Sequence, residues 1–65
     1  MIVEIQSSYN KVMDVINSSE SSYHHDASES YARLWFKQAL INDPSNVTTY
    51  GRMLDEALAI NDWNR

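Results

Sequence analysis

The sequence predicts an all-α fold, a small three-helix bundle, on three observations. The 65 residues include one glycine and one proline, which is too little turn chemistry for an all-β chain. Hydrophobic residues make up 43% of the chain, too many for a disordered segment. Apolar residues also recur every three or four positions, which places them on one face of an α-helix. We expect a single helical domain over residues 1–65.

The first helix is predicted over residues 2–17. Its apolar residues are spaced three, four, three and four apart, the rhythm of a narrow buried stripe; they are Ile2, Ile5, Tyr9, Val12 and Ile16. Two interpretations of this stripe stay open. It packs inside the bundle of its own chain, or it forms a seam that pairs with another copy.

A serine-rich connector is predicted at about residues 17–27, because serine and asparagine side chains compete with helical backbone hydrogen bonds. Asp26 or Ser28 is expected to cap the helix that follows. His24 and His25 fall in this connector, where we expect both to be exposed. We expect no metal site there, since adjacent histidines point in different directions and the chain has no cysteine.

The second helix is predicted over residues 27–42 and is apolar on nearly every side. Its polar positions form a thin stripe of Glu29, Arg33 and Lys37, each four residues apart. A helix of this kind is normally central in its fold. Two other short helices cover only part of its surface, so the remainder is a candidate contact surface for a partner.

Asp43 and Pro44 end the second helix, because proline cannot continue a helix and disfavours helical geometry at the preceding residue. The third helix is predicted over residues 46–62, so that the last two helices form a hairpin with the first packed across it. The expected core combines the largest apolar residues of the three stripes: Trp35, Phe36, Leu40, Tyr50, Leu54 and Leu58, joined by Ile5, Val12 and Ile16.

Residues 32–46 resemble the second helix and following turn of a tetratricopeptide repeat. That family shows an alanine, an aromatic residue four positions on, an Ala-Leu pair three further, and then Asp-Pro-x-Asn. The matching positions here are Ala32, Phe36, Ala39, Leu40, Asp43, Pro44 and Asn46. The resemblance implies a helical hairpin whose function is protein–protein contact.

The residues themselves favour a non-enzymatic protein–protein interaction module. The core of a chain of this size contributes about 3–5 kcal/mol to the free energy of unfolding unless disulfides, a metal ion or oligomerisation add to it. This chain has no cysteine for a disulfide. We therefore expect a small regulatory protein that forms a homodimer through apolar helix faces. The candidate contact residues lie on the part of the second helix that the bundle leaves uncovered: Tyr31, Leu34, Trp35, Gln38 and Ile41. Which of these five belong to the core and which to the interface stays open, and Trp35 is also an expected core residue.

The distribution of charge gives an alternative function. The net charge is −4, and residues 1–31 hold five acidic side chains against one lysine. The chain is alternatively an acidic inhibitor or nucleic-acid mimic that docks on a basic site of an enzyme or DNA-binding protein. The carboxylates available for such docking are Glu4, Asp14, Glu20, Asp26 and Glu29. The same negative field disfavours direct binding of nucleic acid.

No catalytic residue, metal site or cofactor is predicted. The chain has one glycine and thus no glycine-rich phosphate loop, and its serines lack a positioned base. No apolar run is long enough to cross a membrane. The first residues lack the features of a signal peptide, which together with the absence of cysteine favours the cytoplasm.

Overall fold

The computed structural model describes residues 2–65, with side chains described from residue 5 onward. It contains three α-helices: α1 (Ile2–Ser18), α2 (Ser22–Asn42) and α3 (Val47–Asn64), with a 3-10 turn at Pro44–Asn46. No strand occurs in these residues. The predicted fold class, a small all-α bundle of three helices, is confirmed. The molecule measures 34 × 18 × 13 Å along its principal axes, and its radius of gyration of 11.4 Å is close to the value of about 11 Å expected for a compact chain of this length.

Helix α1 buries its apolar stripe inside the bundle. Ile5, Val12 and Ile16 are buried, the last completely, and Tyr9 and Met13 are partly buried against them. Ile2, the first residue of the predicted stripe, lies outside the side chains that the structure describes. The described part of the stripe is used within the chain. Of the two interpretations of α1, packing in its own bundle is correct, and a self-pairing seam on this face is wrong.

Helix α2 begins five residues earlier than predicted, and the connector shrinks from residues 17–27 to residues 19–21. The predicted caps are also wrong, because the N-cap is Ser21, whose side chain accepts the backbone N–H of His24 at 3.3 Å. The serines do not break the helix here. The Ser28 hydroxyl donates to the His24 carbonyl four residues back at 2.9 Å, within the helix, and lies 2.6 Å from the Ser19 hydroxyl in the connector, so it does not compete for the backbone hydrogen bonds of α2.

The turn after α2 is built around the carboxylate of Asp43. This carboxylate accepts hydrogen bonds from the amide of Asn46 at 2.6 Å, the hydroxyl of Tyr50 at 2.8 Å and the hydroxyl of Ser45 at 2.8 Å. These bonds stabilise the charged form and lower the pKa of Asp43. Pro44 starts the 3-10 turn, and α3 follows at once, so α2 and α3 form the predicted hairpin.

The core agrees closely with the sequence-based expectation. Six of the nine predicted core residues are buried, while Phe36, Leu40 and Leu58 are partly buried and pack against them. Three alanines, Ala32, Ala39 and Ala57, are buried as well. Their small side chains allow the helix backbones to approach closely.

Trp35 is the largest side chain at the centre of this core. Its indole N–H donates to the backbone carbonyl of Ile5 at 3.2 Å. Its ring centroid lies 5.0 Å from that of Tyr9 and 6.1 Å from that of Tyr50, in tilted and edge-on arrangements respectively. A Trp with its N–H satisfied and its faces against aromatic rings joins all three helices.

Candidate protein-interaction surface

Helix α2 carries a second apolar stripe that faces solvent. Tyr23 is 78% exposed, Leu34 52% and Ile41 65%. An α-helix turns by about 100° per residue. The interval of 11 residues from Tyr23 to Leu34 is therefore about 20° more than three full turns, and the interval of 7 residues from Leu34 to Ile41 is about 20° less than two. All three side chains thus lie within about 20° of one line parallel to the helix axis. Tyr31, 38% exposed, lies beside this line on the side nearer the core. We call these four residues the outer stripe.

A groove of about 250 Å³ between α1 and α2 runs along one side of the outer stripe. Tyr31 and Leu34 belong to both. Polar side chains lie along the groove beside the apolar ones, the mixed lining that is usual for a binding groove. The groove is lined by Ile5, Ser8, Tyr31, Leu34, Trp35, Gln38, Ala39 and Asn42.

Four of the five contact residues predicted from the sequence therefore line one feature. Tyr31, Leu34 and Gln38 are exposed there. Trp35 is different, because it is 5% exposed and only contributes to the floor of the groove. Its role is in the core, where the sequence also placed it, and its inclusion among the contact residues is wrong. Ile41 does not line the groove, although it is exposed on the outer stripe.

The charged side chains of α2 lie along the opposite flank of the outer stripe. Asp26 and Glu29 occupy the N-terminal half of the helix, and Arg33 and Lys37 the C-terminal half. Glu29 pairs with Arg33 at 3.3 Å, and Asp26 pairs with Arg65 at 2.8 Å. All four side chains remain partly or fully exposed, so these ion pairs contribute little to stability.

The five carboxylates of the alternative function are less favourably placed. Asp26 and Glu29 are each neutralised by an arginine. Asp14 on α1 and Glu20 in the connector are exposed, and neither makes an ion pair with the described side chains. Glu4 lies outside the side chains that the structure describes. Neutralisation by two arginines weakens the electrostatic attraction that such docking requires.

A buried polar cluster joins α2 to α3, and sequence reasoning missed it. His25 is 3% exposed, and Ser28 and Asn61 are fully buried, so the expectation of an exposed His25 in a loop is wrong. His25 Nδ1 lies 2.8 Å from Asn61 Oδ1, and Asn61 Nδ2 donates to the His25 backbone carbonyl at 2.9 Å. Because the Asn61 oxygen faces the ring, Nδ1 carries the proton and donates to it.

The spacing of the core positions could have revealed this cluster. The buried positions on α2 are spaced three, four, three and four apart, and His25 and Ser28 are the first two of them. On α3 the same spacing leads to a polar residue: Ala57 comes three residues after Leu54, and Asn61 comes four residues after Ala57. The apolar stripes of both helices thus continue into polar residues at one end of the molecule. Every buried polar side-chain atom among the described residues has a hydrogen-bond partner.

The described residues contain no group of three or more His, Asp or Glu side chains arranged to hold a metal ion. None of the described helices is both long and apolar enough to span a bilayer. No family model, curated protein or solved structure matches the chain. The function is therefore inferred from the chain's own surface.

Proposed function

We propose that this chain is a non-catalytic protein-interaction module that self-associates through the outer stripe of α2 and the adjoining groove. The observation that carries the proposal is a line of large apolar side chains along a helix whose opposite face already forms the core. Scattered exposed apolar residues are normal, whereas large apolar side chains aligned along one face of one helix favour an interaction surface.

The size of the outer stripe supports this function. If each of its side chains presents about 200 Å² when fully exposed, their exposed fractions amount to about 450 Å². That is about a tenth of the total surface of 4502 Å², distributed along about 27 Å of helix between Tyr23 and Ile41. A stable standard interface buries about 800 Å² per partner. We therefore expect a weak, reversible dimer.

The tetratricopeptide resemblance of residues 32–46 implies protein–protein contact as well, because that family functions by binding other proteins. Those residues supply Leu34, Gln38 and Ile41 to the surface described above. The cysteine-free composition is compatible with a cytoplasmic setting for this module.

A substitution pair of equal exposure tests the proposal. Leu34 is 52% exposed on the outer stripe, and Val47 is 48% exposed on α3. Leu34→Ser removes about 1 kcal/mol of apolar burial from each copy, or about 2 kcal/mol per dimer, which corresponds to about 30-fold weaker association. Val47→Ser should leave association unchanged. Sedimentation equilibrium of both variants and the wild type gives the dissociation constants.

Three outcomes are informative. Weaker association for Leu34→Ser alone supports the proposal. The proposal is wrong if the wild-type chain stays monomeric at high micromolar concentration. It is also wrong if the two substitutions change the dissociation constant of the dimer equally. Glu20→Lys separates the acidic-docking alternative, because reversing an exposed charge should leave an apolar dimer almost unchanged and should weaken an electrostatic complex.

A further inference from the structure

We infer that the occupant of the outer stripe is a second copy of the chain whose α2 runs antiparallel, with the two-fold axis beside residues 31–32. This inference rests on the proposed function, since it specifies the geometry of the self-association proposed above. It is carried by the arrangement of charge along α2 and by the positions of the apolar residues on the outer stripe.

The charges of α2 are complementary to those of the same helix reversed. Asp26 and Glu29 precede residue 31, and Arg33 and Lys37 follow it. Within the chain Glu29 pairs with Arg33 and Asp26 with Arg65, but both ion pairs are solvent-exposed and contribute little. A two-fold axis at this point places the acidic half of one helix against the basic half of the other. Parallel pairing would instead set acid against acid and base against base, which disfavours association. Antiparallel packing also places the partly positive N-terminus of each helix beside the partly negative C-terminus of the other, which is electrostatically favourable.

The apolar residues select the same axis independently. Tyr23 and Ile41 are the outermost members of the outer stripe, and the midpoint between them is residue 32. Antiparallel pairing about that point seats Tyr23 of one copy against Ile41 of the other, at both ends of the interface. Leu34 then lies opposite the small, exposed Ser30, which leaves room for its side chain. A two-fold interface requires reciprocal contacts of this kind.

Disulfide trapping tests the orientation, because the chain has no cysteine of its own. Tyr23 and Ile41 lie 18 residues apart on the helix, which is about 27 Å, whereas a disulfide requires Cα atoms within about 7 Å. In an antiparallel dimer, Tyr23→Cys from one chain meets Ile41→Cys from the other. In a parallel dimer, each cysteine meets its own copy.

The experiment oxidises Tyr23→Cys alone, Ile41→Cys alone, and an equal mixture of the two, with Val47→Cys as the control for random collisions. Products are resolved on non-reducing gels and identified by mass spectrometry. In an antiparallel dimer two copies of the same cysteine lie about 27 Å apart, beyond the Cα separation of about 7 Å that a disulfide allows. We therefore expect about tenfold more cross-linked dimer in the mixture than in either variant alone.

The outcomes separate the two proposals. If Tyr23→Cys alone gives as much disulfide-linked dimer as the mixture does, the antiparallel geometry is overturned, while the proposal of self-association stands. The absence of specific linking in a chain that sedimentation shows to be dimeric also overturns this geometry. A monomeric wild type at the concentration used for trapping overturns the proposed function and the inference together.

Discussion

Removal of the Asn61 side chain tests the role of the buried polar cluster in stability. Asn61 is fully buried on α3 and makes two hydrogen bonds to His25 on α2. Asn61→Ala leaves the ring N–H of His25 without its acceptor inside the protein. It also removes one of the hydrogen bonds that hold the start of α2 against the end of α3.

The expected cost follows from these contacts. A buried donor left without a partner costs about 1–3 kcal/mol. The space vacated by the amide and the lost bond to the carbonyl raise the total to about 2–4 kcal/mol. A chain of this size has a core worth about 3–5 kcal/mol. Most of the stability is therefore lost, and a large fraction of the variant should be unfolded at room temperature.

Urea unfolding followed by far-ultraviolet circular dichroism measures this cost. The chain concentration is held low and constant, so that self-association does not alter the apparent stability. With a denaturant dependence of about 1 kcal/mol per molar urea, the midpoint should fall by about 2–4 M. Asn64→Ala is the matched control, because Asn64 is exposed near the end of the same helix and makes one long hydrogen bond of 3.5 Å to Asn17.

A double-mutant cycle with His25→Ala isolates the interaction between the two side chains. We expect the double variant to be less destabilised than the sum of the single variants, because neither side chain then leaves the other unpaired. An Asn61→Ala cost below about 0.5 kcal/mol, in the range of ordinary surface substitutions, would refute the reasoning.

Three further predictions concern the turn, the contact between α1 and α3, and the single glycine. The pKa of Asp43 is lowered in the folded chain by its hydrogen bonds, so its contribution to stability is present above the ordinary aspartate pKa and is lost as the pH falls through the lowered value. Asp43→Asn should therefore flatten the acid limb of a stability–pH curve measured by thermal unfolding. Burial, assisted by the negative charge of Glu56, raises the pKa of Tyr9, and its hydroxyl donates to the Met53 carbonyl at 3.1 Å. The contribution of Tyr9 is present below the ordinary tyrosine pKa and is lost as the pH rises through the raised value. Tyr9→Phe should cost about 0.5–1.5 kcal/mol at neutral pH and reduce the alkaline loss, while an unchanged alkaline limb would contradict this assignment. Gly51 has open space where a Cβ would lie, so Gly51→Ala should stabilise the chain by about 0.5–1 kcal/mol in urea unfolding, and destabilisation would show that the position is constrained.

Much of the fold was predictable from the spacing of apolar residues and from one proline. Ile5, Val12 and Ile16 defined the buried face of α1, and Pro44 fixed the turn between α2 and α3. The start of α2 was not predictable in the same way, because serine disfavours helix interiors on average. Here Ser28 is satisfied by the His24 carbonyl and by contact with Ser19, a combination that exists only once α1 and α2 are packed together.

The interaction surface was predictable in kind and only partly in detail. Surplus apolar residues on the second helix indicated an uncovered face, and Leu34 and Ile41 are exposed there. Trp35 was placed both in the expected core and among the contact residues, and the sequence did not separate the two, because the acceptor of its indole N–H is the backbone of Ile5 on another helix. Tyr23 was missed as a surface residue of the second helix, because residue 23 falls within the predicted connector (residues 17–27), whereas α2 begins at Ser22.

The central claim is that the chain self-associates through the outer stripe. It is tested most directly by recording the backbone amide resonances by nuclear magnetic resonance over a series of chain concentrations. Self-association through the outer stripe should shift the resonances of Leu34 and Ile41 with concentration and leave that of Val47 unchanged. Resonances that do not depend on concentration, or shifts confined to α3, would contradict the claim that this face of α2 is the interaction surface.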